Sequence, residues 1–274
     1  MLRIVLFIAI IGLATFLGIQ NTLFLQGFAV LMSCLTILWI ISLVLEDSSI
    51  IDIFWGLGFI IVAWYYRQQL ALSDIRSLLI CLLITIWGLR LSLHLAIRNI
   101  GKGEDYRYQT WRTQYNKNWW WVSFLRVFLL QGILLWIISS VYLPAMQATT
   151  NLSLIDYIGI AIWVIGFYFE AVGDWQLVQF KKNNNNKGLV LDKGLWSLTR
   201  HPNYFGDALL WWGYFIFAIN SSTLVFIFSP LLMTFLLMKV SGVSLLEQKL
   251  NETKANYHEY MNKVPAFFPR FNQK

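Results

Sequence analysis

The sequence predicts an all-α, polytopic membrane protein, and three observations carry that expectation. The 274 residues are 58% hydrophobic and 13% charged, against about 25% charged in an ordinary soluble domain. Mean hydropathy is +0.59. Apolar runs recur along the chain at close to the ~20 residues that a helix needs to cross a hydrocarbon layer of ~30 Å. Fourteen Trp and twelve Tyr fit the same picture, because amphipathic rings settle at membrane–water interfaces. Trp119-Trp120-Trp121 reads as one such anchor.

Eight stretches qualify in order: 2–19, 22–45, 51–66, 75–97, 120–143, 154–178, 204–219 and 222–240. The first has one basic residue and then an apolar run, but no small-x-small cleavage site, so it reads as a retained helix rather than a signal peptide. The third and seventh are short, which leaves seven spans as the alternative count. Lys and Arg cluster in 98–117, 181–200 and 249–274, five in each, while the turns near Gln20, Gln147 and Asn220 hold none. Eight spans put all three basic segments, Arg3 and both termini on one side, which the positive-inside rule makes cytoplasmic. Arg67 and Arg76 are the two discordant cations. The net charge of +7 is explained by topology and anionic headgroups, and nucleic acid is not a predicted partner. Membrane lipids are. A bacterial inner membrane is the expected location, with endoplasmic reticulum as the alternative, and a monomer is expected.

Cys34 and Cys81 lie in apolar runs without ligand-spaced companions, so neither a disulfide framework nor a metal site is predicted. The four-Asn run 183–186 reads as a loop, and no internal repeat is present. Neither a G-x-S-x-G, nor a P-loop, nor a strand-led G-x-G-x-x-G occurs.

Ionisable residues within spans are costly and mark functional sites by default. Apart from Arg76 and Asp156 at outer helix ends, they are Asp52, Arg90, His94, Arg126, Glu170, Asp174, Asp207 and Lys239, and in this topology each of these falls toward the cytoplasmic end of its helix, as one cytoplasm-facing cavity requires. Asp52 opens Asp52-Ile53-Phe54-Trp55-Gly56-Leu57-Gly58-Phe59, whose glycines admit another helix or a flat ligand; its alternative role is a helix cap. Arg90 and His94 share a helix face, either as catalytic groups or in structural pairing with Asp52 or Glu170. Glu170 and Asp174 repeat that spacing, suited to ribose hydroxyls or to an ion-pair network. The loop Gly101-Lys102-Gly103-Glu104-Asp105-Tyr106-Arg107-Tyr108 can close over a ligand or simply face the membrane surface. Densest of all is Arg200-His201-Pro202-Asn203-Tyr204-Phe205-Gly206-Asp207: Arg200 and His201 can grip phosphate or a planar group, and Asn203, Tyr204 and Asp207 can hydrogen-bond an amide or a ribose. Pro202 suits the first turn of a helix.

Gly194-Leu195-Trp196-Ser197-Leu198-Thr199-Arg200-His201-Pro202-Asn203-Tyr204-Phe205-Gly206-Asp207, followed by Trp211-Trp212-Gly213, resembles the signature of steroid 5-alpha-reductase-like membrane proteins, in particular the bacterial DUF1295 branch, and its core is similar to that of sterol C14 and C7 reductases. Asp52 to Phe59, Trp87-Gly88-Leu89-Arg90, Gly103-Glu104-Asp105-x-Arg107-Tyr108, Glu170-x-x-x-Asp174-Trp175-Gln176 with Phe180-Lys181, and Tyr257-x-x-Tyr260 with Pro269 extend the likeness over most of the chain after residue 45. The resemblance implies one integral membrane domain over 1–274, with N-terminal helices in 1–45 and a reductase-like core in 46–274. It implies a seven-helix fold, a cytosol-facing NADPH site and reduction of a carbon–carbon double bond conjugated to a ketone on a lipidic or steroid-like substrate. By motif it assigns Glu170, Asp174, Lys181, Arg200, His201, Asn203, Tyr204, Asp207 and Tyr257 to NADPH. Asp52, Arg90 and His94 are left for catalysis.

The family's catalytic pair is a Glu on one helix and a Tyr on the next. Here the first position carries Asp52 and the second falls near Trp87, which has no hydroxyl, so the carbonyl donor becomes His94, Arg90 or Tyr108. Arg200-His201-Pro202-x-Tyr204 also resembles isoprenylcysteine and phospholipid methyltransferases, and Glu247 suits them. An S-adenosylmethionine-dependent methyltransferase is therefore the second reading. A non-enzymatic membrane scaffold or lipid binder is the third.

Overall fold

The computed structural model describes residues 21–148, 151–219, 224–240 and 256–271, with residues 9, 12, 13, 16, 17, 243, 247, 250, 253 and 254. The expected first helix, 2–19, lies largely outside the described residues, as do most of 241–255. Among the described residues all regular structure is helical, and five helices are long and apolar enough to cross a membrane. The chain divides into two compact units, Met1–Asn151 and Leu152–Lys274.

The first unit contains α1 (Thr22–Leu45), α2 (Ile50–Gln69) and α3 (Ile75–Asn99). A nearly unbroken helical run follows, made of α4 (Tyr106–Tyr115), a 3₁₀ turn, α5 (Trp119–Ser123), a π-helical stretch (Phe124–Leu129), α6 (Leu130–Ser139) and α7 (Tyr142–Gln147). Side-chain caps set the starts: Asn21 accepts from the Leu23 amide at 2.8 Å, Asp74 from Ser77 at 2.8 Å and Asp105 from Arg107 at 3.0 Å, each satisfying an amide that the helix itself leaves open. The cap at Asp105 revises the expected loop, because helix begins at Tyr106 within the 101–108 motif. The third expected stretch is not short either; α2 has 20 residues.

The glycines beside Asp52 admit a helix rather than a ligand. A Cβ on Gly56 would stand 2.1 Å from the Gly88 carbonyl oxygen of α3, and such small-residue contacts are how helices approach closely in lipid. Of the three consecutive tryptophans only Trp120 and Trp121 face outward, 57% and 44% exposed; Trp119 is buried and stacked against Tyr115. The discordant cations are held internally. Arg76 is fully buried and donates to the Ala145 carbonyl of α7, while Arg67 reaches the Ser77 hydroxyl at 3.3 Å. Cys81 is buried and Cys34 partly so, both free thiols.

The second unit is built on α8 (Leu154–Lys182) packed along α10 (Pro202–Ile219). A Ser153–Asp156 capping box starts α8, and Pro202 takes the first position of α10, where its missing N–H costs nothing. A Cβ on Gly206 would sit 2.4 Å from both the Glu170 nitrogen and the Gly166 carbonyl oxygen, so this glycine lets α10 press on α8 at the level of the acidic residues. The four-Asn loop closes as one 3₁₀ turn, with the Asn186 amide donating to the Phe180 carbonyl. The unit also holds α9 (Leu195–Leu198), α11 (Phe228–Phe235) and α12 (Tyr257–Lys263). The C-terminal segment returns along the approach to α10: the Arg200 amide donates to the Pro265 carbonyl, the Arg270 amide to Leu198 and the Thr199 hydroxyl to Phe267, each at 2.9 Å.

Candidate functional site

In the first unit the polar side chains converge on Asp52. It lies in the first turn of α2, whose capping position is Ser49, and its carboxylate bonds to side chains of α4. Arg107 Nη2 donates to Oδ2 at 2.7 Å and the Tyr108 hydroxyl to Oδ1 at 2.7 Å. Asp52 is therefore not a helix cap. Its side chain is 17% exposed, and the guanidinium supplies the cation that a carboxylate withdrawn from water requires. Tyr108 is 3% exposed. Its oxygen accepts a further bond from Gln131 Nε2 at 3.1 Å, and Gln131 Oε1 accepts from the Trp55 indole at 2.5 Å. Arg107 is held from its other side by Asp105, Nε to Oδ1 at 2.9 Å. Burial works against ionisation of Asp105, but the bonds and charge from Arg107 prevail and hold its carboxyl below the ordinary range.

A second carboxylate fixes the backbone around this network. Glu104 accepts from Arg112 through two of its guanidinium nitrogens, at 2.8 and 2.9 Å, and from the Ser48 amide at 2.7 Å. It thereby ties the turn before α2 to α4, the helix that carries Arg107 and Tyr108. Arg90 and His94 lie one turn apart on α3, both half-buried, while the short bonds to Asp52 come from α4.

The second unit gathers the Arg200 to Asp207 motif into two groups. In one, Arg200 Nε donates to Glu247 Oε1 at 2.7 Å, and Nη1 donates to the carbonyls of Met261 and Val264 at 2.8 Å each. His201 Nε2 lies 3.3 Å from the same Glu247 oxygen, and its ring stacks on Tyr204 at 5.6 Å. Burial raises the Glu247 carboxyl, but bonds from His201 and Arg200 outweigh it and the group sits below its ordinary range. Tyr257 is buried beside this group, its phenol pushed up to about 12 by burial first and the Glu247 charge second. In the other group, Asn203 Nδ2 donates to Asp174 Oδ1 at 2.9 Å, joining α10 to α8. Glu170 and Asp174 are 3% and 7% exposed on the face of α8 toward α10, and Asp207 is 8% exposed in α10. Lys181 and Lys182 are exposed at the end of α8.

These polar groups can address a nucleotide. Asn203 Oδ1 and the Tyr257 hydroxyl are buried and without a hydrogen-bond partner among the described residues, as polar atoms awaiting an amide or ribose would be, and the exposed lysines offer charge for phosphate. Arg200, whose side chain is 8% exposed, instead spends Nε on Glu247 and Nη1 on the C-terminal segment.

Sequence reasoning placed Asp52 and offered Tyr108 as one of three donors, but missed Arg107, Gln131 and Trp55 as its neighbours. The available signal was Gln131, a lone amide in the apolar run 127–138.

The sequence pattern of a family described as "Protein of unknown function (DUF1295)" matches residues 38–264. An uncharacterized protein of Schizosaccharomyces pombe is 23% identical over 86% of this chain and 76% of its own length. Steroid 5-alpha-reductase DET2 of Arabidopsis thaliana is 40% identical over 58 residues, 21% of this chain and 22% of that protein.

Proposed function

The chain belongs to the DUF1295 family, and from that premise we propose that it is a membrane reductase that uses NADPH to saturate a carbon–carbon double bond conjugated to a ketone in a lipidic substrate. The observation that carries this reading is the Tyr108 hydroxyl seated on Asp52: a tyrosine on a carboxylate is the donor an enone needs, and here α4 supplies the hydroxyl that the Trp87 position lacks. The segment similar to a steroid 5-alpha-reductase supports it.

Saturating such a bond consumes one hydride and one proton. When bound, NADPH supplies the hydride, which goes to the β carbon. The chain's own groups handle the oxygen. As the double-bond electrons move toward the carbonyl, negative charge grows on its oxygen, and a donor placed there stabilises that charge. Tyr108 gives its hydroxyl hydrogen to that oxygen, Asp52 and Arg107 fix where the hydroxyl sits, and the enol so formed becomes the saturated ketone as its α carbon takes a proton from water and its O–H proton returns to the Tyr108 oxygen. In the second unit Asp174, Asn203 and Asp207 address amide and ribose groups, and Lys181 the 2'-phosphate. His201, Tyr204, Tyr257 and Glu170 frame that group, and Arg200 fastens the segment carrying Tyr257. On this reading the nucleotide region faces the cytoplasm of a bacterial inner membrane, the side that the basic segments favour, and the protein works as a monomer.

One observation favours the methyltransferase reading: Glu247 bonds to both Arg200 and His201. Calorimetric titration of NADPH, NADH and S-adenosylmethionine, followed by NADPH oxidation with a panel of enones, separates the two. The reductase reading requires tighter binding of NADPH than NADH and turnover of at least one enone. Equal affinities, or binding of S-adenosylmethionine alone, overturn it.

A further inference from the structure

Tyr108 has one hydroxyl hydrogen and three claims on its oxygen: Asp52, Gln131 and any substrate carbonyl. An amide side chain can face either way, but Trp55 settles the orientation here, because an indole N–H only donates. Gln131 must accept from Trp55 through Oε1 at 2.5 Å and donate from Nε2 to Tyr108 at 3.1 Å. The phenol hydrogen is then committed to Asp52 Oδ1 at 2.7 Å, since that oxygen is held as an acceptor and the other carries Arg107.

We infer that Gln131, locked in one orientation by Trp55, is a positioning residue for the Tyr108 hydroxyl. Asp52 holds the hydrogen and Gln131 holds the oxygen. When the hydrogen turns from Asp52 to a carbonyl, the bond from Gln131 uses a lone pair and survives the turn, so the oxygen stays in place. As the hydrogen leaves, charge gathers on the phenol oxygen, and a donor already aimed at it strengthens in the transition state. This role rests on the reductase reading; the hydrogen-bond arrangement does not.

The experiment therefore has two arms. In the first, 3-fluorotyrosine is placed at position 108 of the full chain in detergent micelles and its fluorine resonance is recorded for the parent, Gln131→Leu, Gln131→Glu and Trp55→Phe. The Gln131 variants should both move the resonance, because neither leucine nor carboxylate donates. Trp55→Phe should broaden or split it, because the amide is then free to flip. In the second arm, with any enone the parent reduces, Gln131→Leu should lower kcat on the order of 10- to 100-fold, the scale of one bond to a charged group, with KM changed less than about 2-fold. Trp55→Phe should fall between. A resonance unmoved in both Gln131 variants overturns the inference, as does a loss confined to KM. Should the parent reduce no enone, the reductase reading fails and the fluorine arm alone decides the arrangement. Should Gln131→Leu not fold, Gln131→Glu and Trp55→Phe carry both arms.

Discussion

The two units use polar side chains in opposite ways. In the first, residues from three segments spread over 80 positions, Asp52 and Trp55 on α2, Asp105 to Tyr108 at the head of α4 and Gln131 on α6, converge on one phenol oxygen and one carboxylate. In the second, eight consecutive residues diverge: Arg200 and His201 turn to Glu247 and the C-terminal segment, while Asn203 turns to Asp174. Convergence on a single oxygen is what chemistry at one atom requires. Divergence suits a long ligand that is gripped at several points, with part of the motif left to hold the fold. Proximity in sequence is thus a poor guide to shared work here.

The sharpest break in that comparison is catalytic. Tyr108→Phe and Asp52→Asn should each lower kcat about 10²-fold or more, the usual scale for an acid–base group, while leaving the calorimetric Kd for NADPH unchanged. Running His94→Ala beside them tests another of the three donors that the sequence offered. Parental turnover in Asp52→Asn would reduce Asp52 to a structural partner of Arg107.

The next effect is on stability and belongs to the second unit. Arg200→Met removes the cation from Glu247 and leaves the carbonyls of Met261 and Val264 without that donor. Full loss of a buried pair costs about 3–5 kcal/mol, and Glu247 at 17% exposure brings the expectation to about 2–3 kcal/mol. Faster tryptic cleavage at Lys263 and Arg270, with a lower melting temperature, is the readout. Arg200→Met with parental stability but no NADPH binding would return Arg200 to the nucleotide.

The fold was legible because lipid imposes a blunt rule: spanning segments must be helical and apolar, and the stretches at 22–45, 75–97 and 154–178 match α1, α3 and α8 within a few residues. Helix near the membrane surface was not legible. Tyr106 to Tyr115 is polar, and the signal for α4 was the single cap Asp105. The site was half legible for a similar reason. Asp52, Asn203 and Asp174 stand out as polar residues in apolar surroundings, whereas the partner of Asp52 follows from which helix approaches it; the glycines after Asp52 marked a close approach, but not that Gly56 would meet Gly88 of α3.

A smaller effect separates binding from architecture within the second unit. Asn203→Ala should raise the Kd for NADPH about 10-fold, the scale of one buried hydrogen bond, and Asp207→Ala should do the same, with both proteins monodisperse because alanine is the best helix former. Normal NADPH affinity in a well-folded Asn203→Ala would mean that the bond to Asp174 serves only to join α10 to α8.

The smallest expected effect is the pH dependence of the C-terminal fastening, and its sign follows from Glu247. Burial alone would raise this carboxyl, but the bonds from His201 and Arg200 win and lower it. A group whose folded value lies below its unfolded value of about 4.3 stabilises fully above that value and loses the contribution as pH falls through the folded one. Protection of the 257–271 segment against proteolysis should therefore be level from neutral pH down to about 5 and weaken only below about 4.3. Glu247→Gln keeps the shape and an acceptor oxygen without the charge, so the parent's advantage over it should be constant at neutral pH and vanish in acid. A step between pH 6 and 7.5 would assign the dependence to imidazole titration instead, and an advantage that grew on acidification would contradict the sign of the pairing.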